Sequence, residues 1–432
     1  MKISRRQSLV GSLFGAGAIG LRALATGLPV GFLLDPKKAL AAPESSLTPQ
    51  YLLLSVSANG SPLNTNCPGT YVTGLPHPTS ADMAPTEISL GGQKVIAAKP
   101  WSTLSQAVLD RTAFFHYATR TIVHPDGGKV LRLFEGARKE MTVSLCAKAV
   151  QPALGCIQFQ PLAFAGAIEA DGRALPTLSA VGIGKTLANA PGPLEKLQQI
   201  RDRDLDRLNA LFKASGTKAE RDYLDKLALS QTQVRKLSTD LLQALSTIKD
   251  NGTVNQMLAA CVLFKMNVAP AATMFINFGN DLHADIGYGT ESSSLVSAIG
   301  AMNQFFTTIL PQFGLQDQVT LSIMDVFGRV LVSDGSGRAH HGGHCAGFII
   351  GKNVKGGVVG GLAQPSPNNF VASPLSSSTG LPDASGDVQF GELLGAYGKT
   401  LAAAVGVSSA TIDDSIDKGK IVRSALVAAP NA

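Results

Sequence analysis

Five short stretches of this chain are apolar at almost every position: Tyr51 to Ser57, Thr112 to Tyr117, Thr273 to Phe278, Val319 to Met324 and Ala346 to Ile350. Strands that read this way, instead of alternating apolar with polar, are buried on both faces, and helical stretches lie between several of them. The pattern predicts an α/β fold with a mainly parallel central sheet covered by helices on both faces. Helical spacing is clearest from about Pro193 to Ala214 and from Lys218 to Ile248, where Leu194, Leu197, Ile200, Leu205, Leu208 and Leu211 recur among charges. These two limbs predict a helical hairpin excursion over 193–248, joined at Ser215-Gly216, that either caps a site or meets a partner. Further helices are expected at about Val254 to Lys265, Ser292 to Leu310 and Gly391 to Val405. Residues 351–386 are rich in Gly, Pro and Ser and read as loop, with Pro365 to Pro382 mobile. No internal repeat is visible.

The N-terminus departs from this pattern. Ser4-Arg5-Arg6-Gln7-Ser8-Leu9 sets two arginines before a mild apolar run to about Leu34, and Ala39-Leu40-Ala41 offers small residues for a signal peptidase. Gly15, Gly17, Gly20, Arg22, Gly27, Pro29 and Gly31 interrupt the run too often for a stable membrane span. Residues 1–41 therefore read as a twin-arginine signal peptide, an uncleaved anchor being the alternative. Residues 42–432 read as one α/β domain of about 390 residues, large for a single core. Export to the periplasm or beyond is the expected localisation, with no stable membrane span after cleavage.

Export changes how charge is read. The whole chain carries a formal +6, but six cations and one anion fall in residues 1–41, so five of those charges leave with the leader. A nearly neutral mature protein lacks the clustered basic face that a nucleic-acid partner needs. Twin-arginine export also carries proteins that are already folded, often with a metal loaded. Five cysteines, Cys67, Cys146, Cys156, Cys261 and Cys345, form no CxxC pair. Cys146 and Cys156 are spaced for a disulfide across a short loop, or remain free; Cys261, in an apolar run, reads as a core thiol.

In open α/β sheets ligands gather beyond the carboxyl ends of the strands. Five of the seven histidines fall near predicted strand ends: His124, His283, His340, His341 and His344. Asp281 and His283 can offer an oxygen and an imidazole nitrogen to one cation, and the His340-His341-Gly342-Gly343-His344 turn adds further nitrogens. Such a set suits one divalent metal, zinc before others, with a metal-free protein as the alternative. Gly184-Lys185-Thr186 lacks the glycine of a phosphate loop, and no GxSxG elbow occurs. Ser55, Ser57, Ser61 and Thr65 near the first strand end are candidate nucleophiles, each equally readable as a turn or cap.

Phe275-Ile276-Asn277-Phe278-Gly279-Asn280-Asp281-Leu282-His283, then Phe327-Gly328-Arg329, His341-Gly342 and Asn353-Val354-Lys355-Gly356-Gly357, resemble in order a family of twin-arginine-exported bacterial proteins known only as a domain of unknown function. That family is similar in fold to the alkaline phosphatase and sulfatase superfamily. Its pattern runs Gly-Trp-Asp-Thr-His, Glu-Phe-Gly-Arg, Asp-His-Gly and a Val-Lys-Gly-Gly segment, and the opening Ser57 to Thr65 looks like its first strand end. The resemblance implies a two-metal site that polarises a phosphate or sulfate ester, a role that needs several anionic ligands. Here Asn59, Ser61 and Asn64 are neutral after the first strand, Asn280 replaces the Trp, Val326 the Glu and His340 the Asp. One metal, held by Asp281, His283 and His341 with His340 and His344 nearby, or none, is then the expectation, with Arg329 steadying an anionic group.

Two functions compete at this stage. One is a non-catalytic exported protein with a degenerate metal site that binds an envelope polysaccharide or an exported partner protein. The other is a metal-dependent phosphate- or sulfate-ester hydrolase. The lost carboxylates favour the first, and likeness of fold does not decide between them.

Overall fold

Tyr51–Ser57 is buried at its first six positions and forms the middle of the molecule's main sheet. A computed structural model describes residues 47–428, apart from 61–62, 135–139, 189–192, 216, 218–220, 222–240, 242, 280, 334 and 336. The expected twin-arginine leader and cleavage site lie outside these residues, as does Asn280. No helix among the described residues is long and apolar enough to cross a membrane.

Seven strands make the sheet: β1 Tyr51–Ser57, β2 Thr112–Tyr117, β3 Leu162–Ala163, β4 Ala271–Met274, β5 Val319–Asp325, β6 Cys345–Ile350 and β7 Gly357–Val359. Their spatial order is β7-β2-β6-β5-β1-β4-β3. Only β6 runs against its neighbours; all other pairings are parallel. Burial on both faces of β2, β5 and β6 accounts for their mainly apolar runs, the Thr, Ser, His and Asp among them being buried too. The sheet is thus mixed α/β and mostly parallel, as the pattern predicted.

Helices Thr142–Leu154 and Leu393–Val405 pack on strands of the sheet, and their buried side chains share a core with Leu52, Leu54, Val56, Phe115 and Tyr117. Strand alternation turns Phe114 and Phe348 the other way. There they meet Trp101, whose ring contacts Phe114 edge-on at 4.8 Å between centroids. Trp101 donates its indole N–H to Asn66 O, so this large ring is buried without an orphan donor.

Several boundaries moved. The expected strand Thr273 to Phe278 pairs only over Ala271–Met274, because the chain then leaves the ladder with Ile276 N donating to Ser55 Oγ. β3 and β7 were not expected; at two and three residues they are too short to show a period. The segment 351–386, expected as loop, carries a hairpin, Leu362–Ser366 with Asn369–Ala372. Phe370 anchors it against Leu75 and Leu331, and Leu375 pairs with Val388 beyond it. Few apolar residues suffice there because side chains bind the backbone: Asp387 accepts from the Ser377 N–H and hydroxyl.

Of the described residues, Ser179–Val262 form one compact unit and the rest another. The first holds helices Ala180–Ala188 and Pro193–Ser215 and the start of Thr253–Lys265. Most of the expected second limb, Lys218 to Ile248, lies outside the described residues. All five cysteines are buried and none is in a disulfide, so Cys146 and Cys156 are not bridged.

Candidate metal centre

β1 and β5 run side by side in parallel, with Ser57 opposite Asp325, and deliver their following residues to one edge. Asp325 is buried and its Oδ1 accepts from Gly60 N at 3.1 Å and Val326 N at 2.7 Å, tying the two strand ends together. Gly60 has a φ of +64°, and a Cβ there would stand 2.1 Å from the Phe327 ring. Only glycine serves both demands. Its absent side chain makes room for Phe327, the aromatic wall of the site.

Arg329 lies wholly inside this edge. Its Nε donates to Gly60 O at 3.2 Å, and its Nη2 donates to Asn59 O at 3.0 Å and to Asp281 Oδ1 at 3.1 Å. The expectation that Arg329 faces an anionic ligand is therefore corrected: its side chain has no exposure and its donors are spent on the protein. It positions Asp281 instead. Asp281 sits at φ +50°, a left-handed conformation that Asp tolerates better than most residues, just before the turn Leu282–Ala284.

That turn aims His283 at Asp281 and His340. His283 Nε2 lies 3.7 Å from Asp281 Oδ1 and 2.8 Å from His340 Nε2. The donor atoms of Asp281, His283 and His340 all lie within 4.8 Å of one another. His340 Nδ1 is 2.8 Å from Ile122 O. A carbonyl can only accept, so Nδ1 carries the proton and Nε2 keeps its lone pair, the orientation that metal-binding imidazoles receive from outer partners. Burial lowers the His340 pKa, which keeps that ring neutral.

His341 and His344, also expected as ligands, are not in this cluster. His340–His341 pairs antiparallel with Gly328–Arg329, in register Arg329 with His340 and Gly328 with His341. Neighbours on a strand face opposite ways, so one histidine reaches the cluster and the other turns inward. His341 is half-buried, its Nδ1 has no hydrogen-bond partner, and burial lowers its pKa. His344 is fully buried against His116, their rings stacked with Nε2 and Nδ1 3.0 Å apart. His116 Nε2 in turn lies 2.9 Å from Pro68 O. Burial pushes His116 down to about 4 and His344 well below the ordinary value.

His124 stands at a strand end as the pattern indicated, yet it was not assigned as a ligand. Its ring meets His340 edge-on at 4.7 Å and Phe327 at 4.9 Å between centroids, while Phe327 stacks on His340 at 4.1 Å. Nothing in the stretch after Tyr117 signals this approach; the fold brings it from seven residues beyond β2. Beside His124 opens a small cavity of about 230 Å³, lined among others by Val56, Ser57, Val130 and Asp325.

Tetrahedral ligands at roughly 2.0–2.1 Å from zinc stand about 3.3 Å apart. The His283–His340 and Asp281–His283 spacings, 2.8 and 3.7 Å, bracket that value, so one oxygen and two nitrogens close on a single divalent ion once the remaining donor spacing contracts and the proton between the two imidazoles is displaced. Two ions do not fit: the cluster holds one carboxylate, already paired with Arg329, and no other such cluster occurs among the described residues. Of the candidate nucleophiles, Ser55 Oγ accepts from Ile276 N and Ser57 Oγ from Asn59 N, Thr65 is buried with its hydroxyl unpartnered, and Ser61 lies outside the described residues. No protein-family model matches the chain, and no curated protein matches it in sequence.

Proposed function

We propose that this chain is an exported envelope protein that holds one divalent metal, zinc by its donor set, on Asp281, His283 and His340, and uses that site to bind a ligand without turning it over. The convergence of these three side chains at the carboxyl edge of the sheet carries the reading. Arg329 cancels the charge of Asp281, so a dication held there keeps its full double charge and favours an anionic group, such as an acidic envelope polysaccharide or the acidic surface of an exported partner. A phosphate- or sulfate-ester hydrolase, in the manner of the alkaline phosphatase and sulfatase superfamily, is the lesser reading, since it needs a free nucleophile and more carboxylates at this edge. The leader with Arg5 and Arg6 supports export.

Metal analysis of the exported, purified protein tests the proposal. One equivalent of metal is expected, absent from the His283→Ala/His340→Ala double variant. Protein that carries no metal and takes up none when titrated with zinc would overturn it. Arg5→Lys with Arg6→Lys is expected to hold the protein in the cytoplasm, as cell fractionation would read.

A further inference from the structure

The three-residue cluster leaves one position of a tetrahedral zinc site unfilled, and the surroundings narrow where a fourth donor can come from. Arg329 occupies one flank of Asp281, with its guanidinium donors committed there. The histidine next to His340 is His124, its ring edge-on to that of His340 at 4.7 Å between centroids.

Resting on the metal reading above, we propose that His124 is the fourth ligand, closing the site as one carboxylate and three imidazoles. His124 Nδ1 lies 2.6 Å from Ala58 O, so Nδ1 carries the proton and Nε2 is a lone-pair donor. His340 is held in the same tautomer by Ile122 O. Two imidazoles, each fixed by a backbone carbonyl and both packed on Phe327, present the arrangement that orients metal-binding histidines. The segment that carries His124 is itself braced: Thr121 Oγ1 donates to Asp126 Oδ2 at 2.6 Å and accepts from Val123 N at 3.2 Å.

Closing the site requires His124 to move inward, as the other donors must also contract from spacings of up to 4.8 Å. His124 lies outside the three donors that are within 4.8 Å of one another, so its ring, now edge-on to that of His340 at 4.7 Å between centroids, swings inward on binding. A neutral imidazole also adds a donor without adding charge, so the bound ion keeps its attraction for an anion. A site closed by four protein ligands has no open position for a reacting water, so an anionic group is drawn by the charge of the ion and not coordinated to it, which agrees with binding and not with turnover.

Cobalt(II) is the probe, because its visible absorption reports coordination number. Wild-type protein titrated with cobalt(II) is expected to show the intense bands of four-coordinate metal. His124→Ala is expected to lose those bands and to bind more weakly by more than the roughly 10–100-fold that loss of an outer partner brings. His124→Cys guards against a misfolded alanine variant: a new thiolate-to-cobalt charge-transfer band would place residue 124 in the coordination sphere. If wild type binds cobalt(II), His340→Ala abolishes binding, and His124→Ala keeps both spectrum and affinity, then this proposal fails alone. If wild type binds neither cobalt(II) nor zinc, the metal reading fails with it.

Discussion

Two histidine pairs in this protein make nearly the same contact and live in opposite environments. His283 and His340 meet at 2.8 Å between nitrogens on the rim of the sheet, beside the exposed carboxyl of Asp281. His116 and His344 meet at 3.0 Å inside the sheet, with a backbone carbonyl as their outer partner. The first pair has a counter-charge and access to solvent, so a cation can join it. The second has neither, and burial keeps both rings neutral. The same residue type becomes a ligand or a structural hydrogen-bonding group according to what surrounds it, and His340 and His344, four positions apart, fall on different sides of that division.

The most severe way to break the comparison is at the residue the two regions share. Gly328 pairs with His341, and a Cβ at Gly328 would stand 1.8 Å from His344 O, a backbone atom that cannot step aside. Gly328→Ala is expected to cost at least about 3 kcal/mol and to disturb both pairs, as equilibrium denaturation would show. A fall of less than about 1 kcal/mol would mean that the two regions are not locked together here.

Metal separates the pairs next. At free zinc near 100 times its dissociation constant, wild type is expected to gain about 2.7 kcal/mol, read as a rise in Tm. His340→Ala should lose that gain, and His341→Ala should keep it. The reverse result would place the wrong histidine at the rim.

Acid should act on the interior pair. His116 is held near 4 when folded and titrates near 6.5 when unfolded, so the unfolded chain takes up protons first as pH falls. Its contribution is intact above pH 6.5 and is lost between 6.5 and 4, about 2.5 kcal/mol by pH 4.5. Urea midpoints at pH 7.5 and 4.5 measure this. His116→Phe with His344→Leu should flatten the slope, and an unchanged slope would assign the acid sensitivity elsewhere.

The smallest effect is expected at Asp281, whose side chain is largely exposed although Arg329 behind it is not. Asp281→Asn tolerates the left-handed backbone, so stability should fall by about 1 kcal/mol or less, while zinc affinity falls far more. A large loss of stability with unchanged zinc binding would make Asp281 a structural partner of Arg329 and nothing else.

The interior of the fold was legible because burial on both faces leaves an unmistakable mark. β1, β2, β5 and β6 appear as mainly apolar runs; Arg329 follows β5, His340, His341 and His344 precede β6, and Asp281 and His283 come after the shorter β4. The edge strands β3 and β7 were not legible, since two or three residues make no period and their pairing rests on neighbours already in place. The hairpin of Leu362–Ser366 with Asn369–Ala372 was hidden for a related reason: its order comes from Phe370 docking and from side-chain hydrogen bonds that composition does not reveal.

At the site, the sequence determined which residues were available: Asp281, His283 and a histidine-rich turn before β6, with one carboxylate among them. Tertiary structure decided how they are used. A one-residue register between His340–His341 and Gly328–Arg329 sends His340 to the rim and His341 inward, and nothing in the string HHGGH distinguishes them. Arg329, readable as a ligand-facing cation, is buried because Asn59 O, Gly60 O and Asp281 converge on it from two other segments. Side-chain chemistry is local and can be read along the chain, whereas facing and burial depend on pairing between distant strands and are settled only when the sheet has formed.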